Sequence, residues 1–243
     1  MRINKKGVII SSISMLTLLL FGYFLFQLSK SRTFQFFGGL TSRVETNQKV
    51  VALTFDDAPT LQTEKVIATL KEKQIKATFY EIGKNIEQYP GIAKEIVDAG
   101  MEVGNHSYSH ERFLLKSQSF IDTEIQKTNK LIIDSGYRGN ITFRPPNGKK
   151  LFGLPWYLRL HNIKTITWDV EPDTYVAGNA EAITKYTLDH VQPGSIILLH
   201  PFCEKECIAD REALPNIIEG LKKMGYTFVT INELLTSKYD ENG

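Results

Sequence analysis

The side chains best suited to chemistry in this sequence are carboxylates, imidazoles and one guanidinium. Residues 50–59 read VVALTFDDAP, an apolar, β-branched run that stops at Asp56 and Asp57. Such a run has the pattern of a buried strand, which leaves both carboxylates on the loop face of a sheet. Adjacent residues of an extended chain point to opposite sides, so one carboxylate can hold a metal while the other stays free as a base. A helix cap or a solvent-facing pair is the plainer alternative. His106 and His110, in HSYSH, stand at i and i+4. On a helical turn they share a face and can chelate one ion, and Asp57 would complete a His₂Asp set with positions open for water and substrate. Two surface histidines are the plainer reading of that pair.

The elements that must position these groups alternate between two periodicities. Strand-like runs at 77–82, 101–103, 141–143, 164–168, 195–199 and 228–231 are interleaved with helix-like runs at 63–73, 90–99, 120–135, 154–161, 180–190 and 211–224. Gly100 is placed to stop the second of those helices. Repeated strand–helix units predict an α/β fold with a parallel sheet, curled into a distorted (β/α) barrel. Polar groups follow the ends of five strands: Asp56 and Asp57, His106 and His110, Arg144, Asp169 and Glu171, and His200. That rim is where the loops of a (β/α) barrel converge to make a site.

Ahead of this domain, Arg2, Lys5 and Lys6 precede an uncharged run at 8–28, VIISSISMLTLLLFGYFLFQL. A bilayer-spanning helix needs about 20 apolar residues, and no small-x-small cleavage site follows the run. It reads as a transmembrane signal anchor, with residues 1–7 cytoplasmic and the rest outside. Late cleavage, giving a secreted protein, is the alternative. Residues 29–48 read as a stem without a core of its own, 49–236 as one catalytic domain and 237–243 as a tail. The formal charge of the 243-residue chain is +2, and no basic block argues for nucleic acid. Neither repeats nor low-complexity segments are visible.

TFDDAP at 54–59, HSYSH at 106–110, FRPPNG at 143–148, WDVEPDTY at 168–175 and ILLHP at 197–201 occur in the order of the five motifs of polysaccharide deacetylases, the NodB-homology domain of carbohydrate esterase family 4. KATFYEIG at 76–83 also resembles that family's second strand. The resemblance spans about 49–235 and implies an N-deacetylase of amino-sugar polymers. It also implies that Asp57, His106 and His110 bind a divalent metal, usually zinc, with cobalt, manganese or nickel as alternatives. Asp56 would be the general base, His200 the acid that protonates the leaving amine, and Arg144 the group that holds Asp56. A backbone N–H of the 144–148 loop would face the oxyanion, which places Asn147 at the substrate.

The sequence departs from the family pattern at three places. Ala58 stands where Gly is common, which is tolerable unless that residue needs positive φ. Asn147 replaces a usual Tyr. The fourth motif is altered most: a pattern Asp-x-x-Asp-Trp becomes Glu171-Pro172-Asp173-Thr174-Tyr175. Glu171 is expected to support His200, with Asp169 or Asp173 as alternatives in another register. Tyr175 is expected at the substrate and Trp168 in the core. His161 and His190 lack partner motifs and read as structural. Cys203 and Cys207, in PFCEKEC, outside a membrane, suggest a disulfide beside His200.

The leading functional reading is a membrane-anchored metal hydrolase that removes acetyl from a cell-envelope glycan, peptidoglycan first. One rival is a chito-oligosaccharide or poly-N-acetylglucosamine deacetylase, or an amidase of small cyclic amides. Another is a degenerate domain that binds glycan without turnover, against which a complete set of base, acid and metal ligands argues. No protein partner is readable.

Overall fold

The computed structural model describes residues 5–176 and 178–240. The expected N-terminal end, 1–7, and tail, 237–243, lie partly outside them. The chain opens with helix α1 (Lys5–Ser29), followed by a short strand β1 (Leu40–Thr41). The site-bearing elements then run β2 (Val50–Ala58), α2 (Thr63–Glu72), β3 (Thr78–Glu81), α3 (Gly83–Gln88), α4 (Pro90–Asp98) and β4 (Glu102–Asn105). They continue α5 (Gln118–Asp134), α6 (Gly153–Leu160), β5 (Thr165–Ile166), α7 (Pro172–Tyr175), α8 (Ala180–His190), β6 (Ile196–Leu199), α9 (Ile208–Lys223), β7 (Thr227–Val229) and α10 (Ile231–Asp240).

Among the described residues, the pairings between these strands are all parallel, and a single bridge, Arg43 to Ser195, is antiparallel. The main sheet has the order β4-β3-β2-β6, and β7 pairs with the N-terminal half of β2. Single bridges, Asn105 to Phe143, Phe143 to Thr165 and Val170 to Ile197, carry the pairing from β4 round to β6. The expected strand at 141–143 is thus reduced to the one bridging residue Phe143, which leaves the ring open and irregular on that side.

Alternation along β2 sorts the site from the core. Val51, Leu53 and Phe55 pack outward among Val66, Ile67, Leu70, Ile217 and Ile218 of the helix layer. Ala52 faces inward with Tyr80, Ile166, Trp168, Ile196 and Leu198. Thr54 and Asp56 continue that inner column, so the interior changes from apolar to polar toward the C-terminal end of the strand.

Helix starts follow local chemistry. Ser117 accepts from Phe120 N at α5, and Asn179 accepts from Ala182 N at α8. Thr230 and Glu233 exchange side-chain-to-backbone bonds as a capping box at α10. The residues 29–48 build no core of their own and pack on the rest. Val44 is buried in the inner cluster, β1 pairs with β5, and Phe36 and Phe37 meet Phe152 and Trp156. Among the described residues, Ser12–Ser29 of α1 is the one stretch long and apolar enough to cross a bilayer, and its side chains are largely exposed.

Candidate active site

The adjacent carboxylates are separated by a β-bulge. Pairing with β3 shifts register between Asp56 and Ala58, and Asp57 takes φ 71°. A bulge re-aims the side chain at the end of a strand, and Asp is among the residues that tolerate the left-handed region. The positive φ therefore falls on Asp57, and Ala58 stays extended and buried, so the absence of Gly there carries no strain. Asn85 of α3 donates to the Asp57 carbonyl at 3.0 Å and fixes the bulge.

Asp56 is 2% exposed and receives Arg144 Nη1 at 2.8 Å. Arg144 is fully buried, donates also to Thr54 Oγ1 and to the Thr167 carbonyl, and lies over the Tyr80 ring at 4.0 Å. Burial alone would raise the Asp56 carboxyl, but the Arg144 guanidinium, with His106 and His200, outweighs it and holds the group below the ordinary carboxylate range. Asp56 is thus ionised, anchored on one oxygen, with Oδ2 3.5 Å from His106 Nε2.

The two histidines meet through a loop, not the helical turn expected from their spacing. Ser107 and His110 have φ of 66° and 59°, which breaks any helix between them. The loop is held from behind: Glu124 of α5 accepts from Tyr108 N and Ser109 N, at 3.0 and 2.8 Å, and Asn105 accepts from Ser107 N. Sharing a face is achieved all the same, with ring centroids 4.9 Å apart. His106 Nδ1 donates to the Arg144 carbonyl at 2.8 Å, which fixes the tautomer and leaves the Nε2 lone pair free. Burial, then the neighbouring His106, lowers the His110 pKa, favouring the neutral ring that a metal ligand requires.

The donor set fits a divalent cation. One ligand atom each from Asp57, His106 and His110 lie within 4.8 Å of one another. Asp57 Oδ1 is buried without a hydrogen-bond partner, 3.3 Å from His110 Nε2 and 3.7 Å from His106 Nε2. An orphaned carboxylate oxygen facing two imidazole lone pairs is the arrangement a borderline N/O-binding ion resolves.

His200 follows β6, the strand that pairs with β2, and lines the same cleft. Its Nδ1 donates to Asp173 Oδ2 at 2.8 Å, and the same oxygen accepts from His200 N. The expectation that Glu171 supports His200 is corrected here. Residues 172–175 form the short helix α7, which swings Asp173 to the imidazole, while Glu171 pairs with Arg32. Burial would lower the His200 pKa, but the Asp173 hydrogen bond and charge, with Asp56 and Asp57, raise it to about 9. Asp169 is structural, bonded to Ser195 Oγ and Ile196 N.

A cleft of about 470 Å³ gathers Asp56, Asp57, His106, His110, Asn147, Trp168, Thr174 and His200. Asn147 lines it at φ 56°, in the turn Pro146–Gly148. Tyr175 does not line the cleft. It is 57% exposed and stacks on Tyr186 beyond the rim, while Thr174 and the buried Trp168 stand at the wall. His161 stacks on Tyr157 and His190 on Tyr186, away from the site. Cys203 and Cys207 are disulfide-bonded in the loop after His200. Lys30, Arg32 and Lys149 also line the cleft. The sequence reading missed them because Lys30 and Arg32 look like membrane flanks, and only the fold brings 30–32 to the site.

A family model for polysaccharide deacetylase matches residues 43–166. The chain is 35% identical over 195 residues to a peptidoglycan-N-acetylglucosamine deacetylase of Bacillus cereus, spanning 79% of this chain and 70% of that protein. It is 32% identical over 200 residues to the peptidoglycan-N-acetylmuramic acid deacetylase PdaA of Bacillus subtilis, spanning 79% and 74%. A crystal structure of a peptidoglycan N-acetylglucosamine deacetylase, in complex with an N-oxidanyl-benzamide, superposes with a TM-score of 0.76 at 32% identity over 80% of this chain and 92% of that one. Motif order, parallel α/β fold and sequence identity over most of the chain agree, and the chain belongs to the polysaccharide deacetylase family, hydrolases of amide-linked acetyl groups.

Proposed function

We propose that this protein removes acetyl groups from the amino sugars of peptidoglycan, on the outer side of a membrane to which α1 anchors it. The observation that carries the reading is the presence of an ionised, Arg144-held Asp56 and a protonated, Asp173-held His200 in one cleft. A base and an acid facing one cleft are what amide hydrolysis requires, and a module that only binds glycan needs neither.

Asp57, His106 and His110 would hold the divalent ion, zinc by the N/O donor set. When bound, it supplies Lewis-acid polarisation of the amide carbonyl and acidifies water. Asp56 takes the proton of the attacking water, and Arg144 keeps its other oxygen occupied so that one face remains reactive. The backbone N–H of Asn147 is assigned to the oxyanion. His200 Nε2 delivers a proton to the leaving nitrogen, so the products are acetate and a free amine. Trp168 offers an apolar wall for a sugar ring at the cleft.

The test is acetate release by the metal-loaded full chain from purified peptidoglycan, with chito-oligosaccharides and poly-N-acetylglucosamine in parallel. Acetate from peptidoglycan is expected. Acetate from the other glycans alone would move the substrate, and none from any of them would overturn the reading.

A further inference from the structure

The segment that leaves α1 is fastened into the wall of the cleft. Lys150 N donates to the Ser29 carbonyl at 2.9 Å, the Lys150 ammonium donates to the Ser31 carbonyl, and Thr167 Oγ1 donates to the Arg32 carbonyl at 2.6 Å. Lys150 is itself buried, and Arg32 adds its pair with Glu171 and a place over Trp168 at 5.0 Å. Residues 29–32 are therefore part of the catalytic cleft and not a loose tether.

This fastening brings cations to the cleft mouth. Lys30, Arg32 and Lys149 all line it, and Glu171 neutralises only Arg32. Among the described residues, Lys30 and Lys149 form no ion pair. Partial burial, and then the charges of Arg112 and Lys30, lower the Lys149 pKa, so the cluster is self-repelling as it stands. Lys30 Nζ lies 4.0 Å and Lys149 Nζ 5.9 Å from the ring of Phe26, in the last turns of α1. The uncompensated charge thus sits where an apolar helix meets the cleft, at the surface of the bilayer if α1 crosses one.

We infer that Lys30 and Lys149 form an anion subsite for the diphosphate of a 2-acetamido sugar still linked to a membrane lipid. In such a sugar the acetamido group is on C2 and the anomeric oxygen on the neighbouring C1. An acetyl group at Asp57, His106 and His110 therefore places a C1 diphosphate within the same cleft, and two ammonium groups are suited to phosphate. The inference rests on the deacetylase reading and names the form of the substrate. Anionic lipid headgroups offer the same phosphate chemistry, and the experiment separates the two.

The full chain in neutral detergent is assayed on an N-acetylated disaccharide carrying a short-chain polyprenyl diphosphate at C1, and on its 1-O-methyl counterpart. We expect KM for the diphosphate form to be at least tenfold lower. K30A/K149A should abolish that difference, and K30R/K149R should keep it. Equal KM values in the unmodified protein, or a preference that survives K30A/K149A, would overturn the subsite. Lysine-dependent binding to phosphatidylglycerol vesicles without a KM difference would overturn it too, and assign the charge to the membrane. Equilibrium binding distinguishes the two possible failures: lysine-dependent binding of the diphosphate sugar without acetate release overturns the deacetylase reading alone, and turnover without lysine dependence overturns the subsite alone.

Discussion

Asp173 and His200 make the closest carboxylate–imidazole contact in the cleft, 2.8 Å, against 3.3–3.7 Å for the contacts of Asp56 and Asp57 with His106 and His110. One oxygen of Asp173 accepts from both the ring and the backbone of His200, so it sets the orientation and the charge of the imidazole together. The proton held by His200 persists up to about pH 9. The pair also stabilises the fold below the ordinary histidine pKa of about 6.5, and that contribution is lost as pH rises through 9.

D173N removes the hydrogen bond and charge that do most to raise the His200 pKa, and leaves burial, which lowers it, opposed only by Asp56 and Asp57. The alkaline limb of the kcat profile should move down from near pH 9 toward the ordinary histidine range. At pH 8 an imidazole at the ordinary pKa of about 6.5 is about 3% protonated, so turnover at that pH should fall, by up to about 30-fold from protonation state alone. E171Q should disturb Arg32 and leave the limb in place. A limb that moved in E171Q and not in D173N would reverse this assignment.

The histidine loop depends on a residue remote from the ion. Glu124 satisfies the Tyr108 and Ser109 N–H groups together, and E124A leaves both without a partner. Metal affinity should fall about 10- to 100-fold, the usual cost of losing support behind a ligand. E124Q keeps an acceptor and should recover part of it. Zinc titration of the three proteins is the check, and equal affinities would show that the loop holds itself.

These cases mark what the sequence makes legible. The strands of the main sheet and the helices α5, α8 and α9 are readable because burial imposes period on them, and α8 begins and ends where its pattern does, at 180 and 190. The helix Gly83–Gln88 is too short to show a period, yet it carries the Asn85 that fixes the Asp57 bulge. Spacing placed His106 and His110 together for the wrong local reason, since two left-handed residues, not a helical turn, bring them round. Which of three nearby acids meets His200 depends on one turn of helix at 172–175, below the resolution of pattern. Lys150 meets Ser31, and Arg32 meets Glu171, each across more than a hundred residues, and nothing local announces them.

The Cys203–Cys207 bridge closes a small loop, so C203S/C207S should cost about 2 kcal/mol on the chain-entropy estimate. Arg211 also ties that loop, through the carbonyls of Pro201, Cys203 and Glu204. Denaturant unfolding should therefore show a modest loss, with turnover retained. Loss of activity in a folded double variant would mean that the bridge, not Arg211, places His200.

An external catalytic domain is expected of the anchor reading. Protease added to intact spheroplasts should digest the region after α1, and full protection would reject that orientation.

The division of labour between Asp56 and Asp57 is the most exposed part of the mechanism. Asp57, on the bulge, has an orphaned oxygen facing both imidazoles, so D57A should lose metal and activity together. Asp56 is held by Arg144 on the inner face, so D56N should keep much of its metal while turnover collapses. General-base catalysis is worth about 10²–10⁴-fold, a loss visible even with a filled site. The 3.5 Å approach of Asp56 Oδ2 to His106 Nε2 makes some loss of affinity in D56N an expected complication. Metal analysis of each purified variant, read beside its kcat, separates the two effects. D56N that is folded, metal-loaded and inactive is the required result. Near-normal turnover in that protein would mean that another group takes the proton from water.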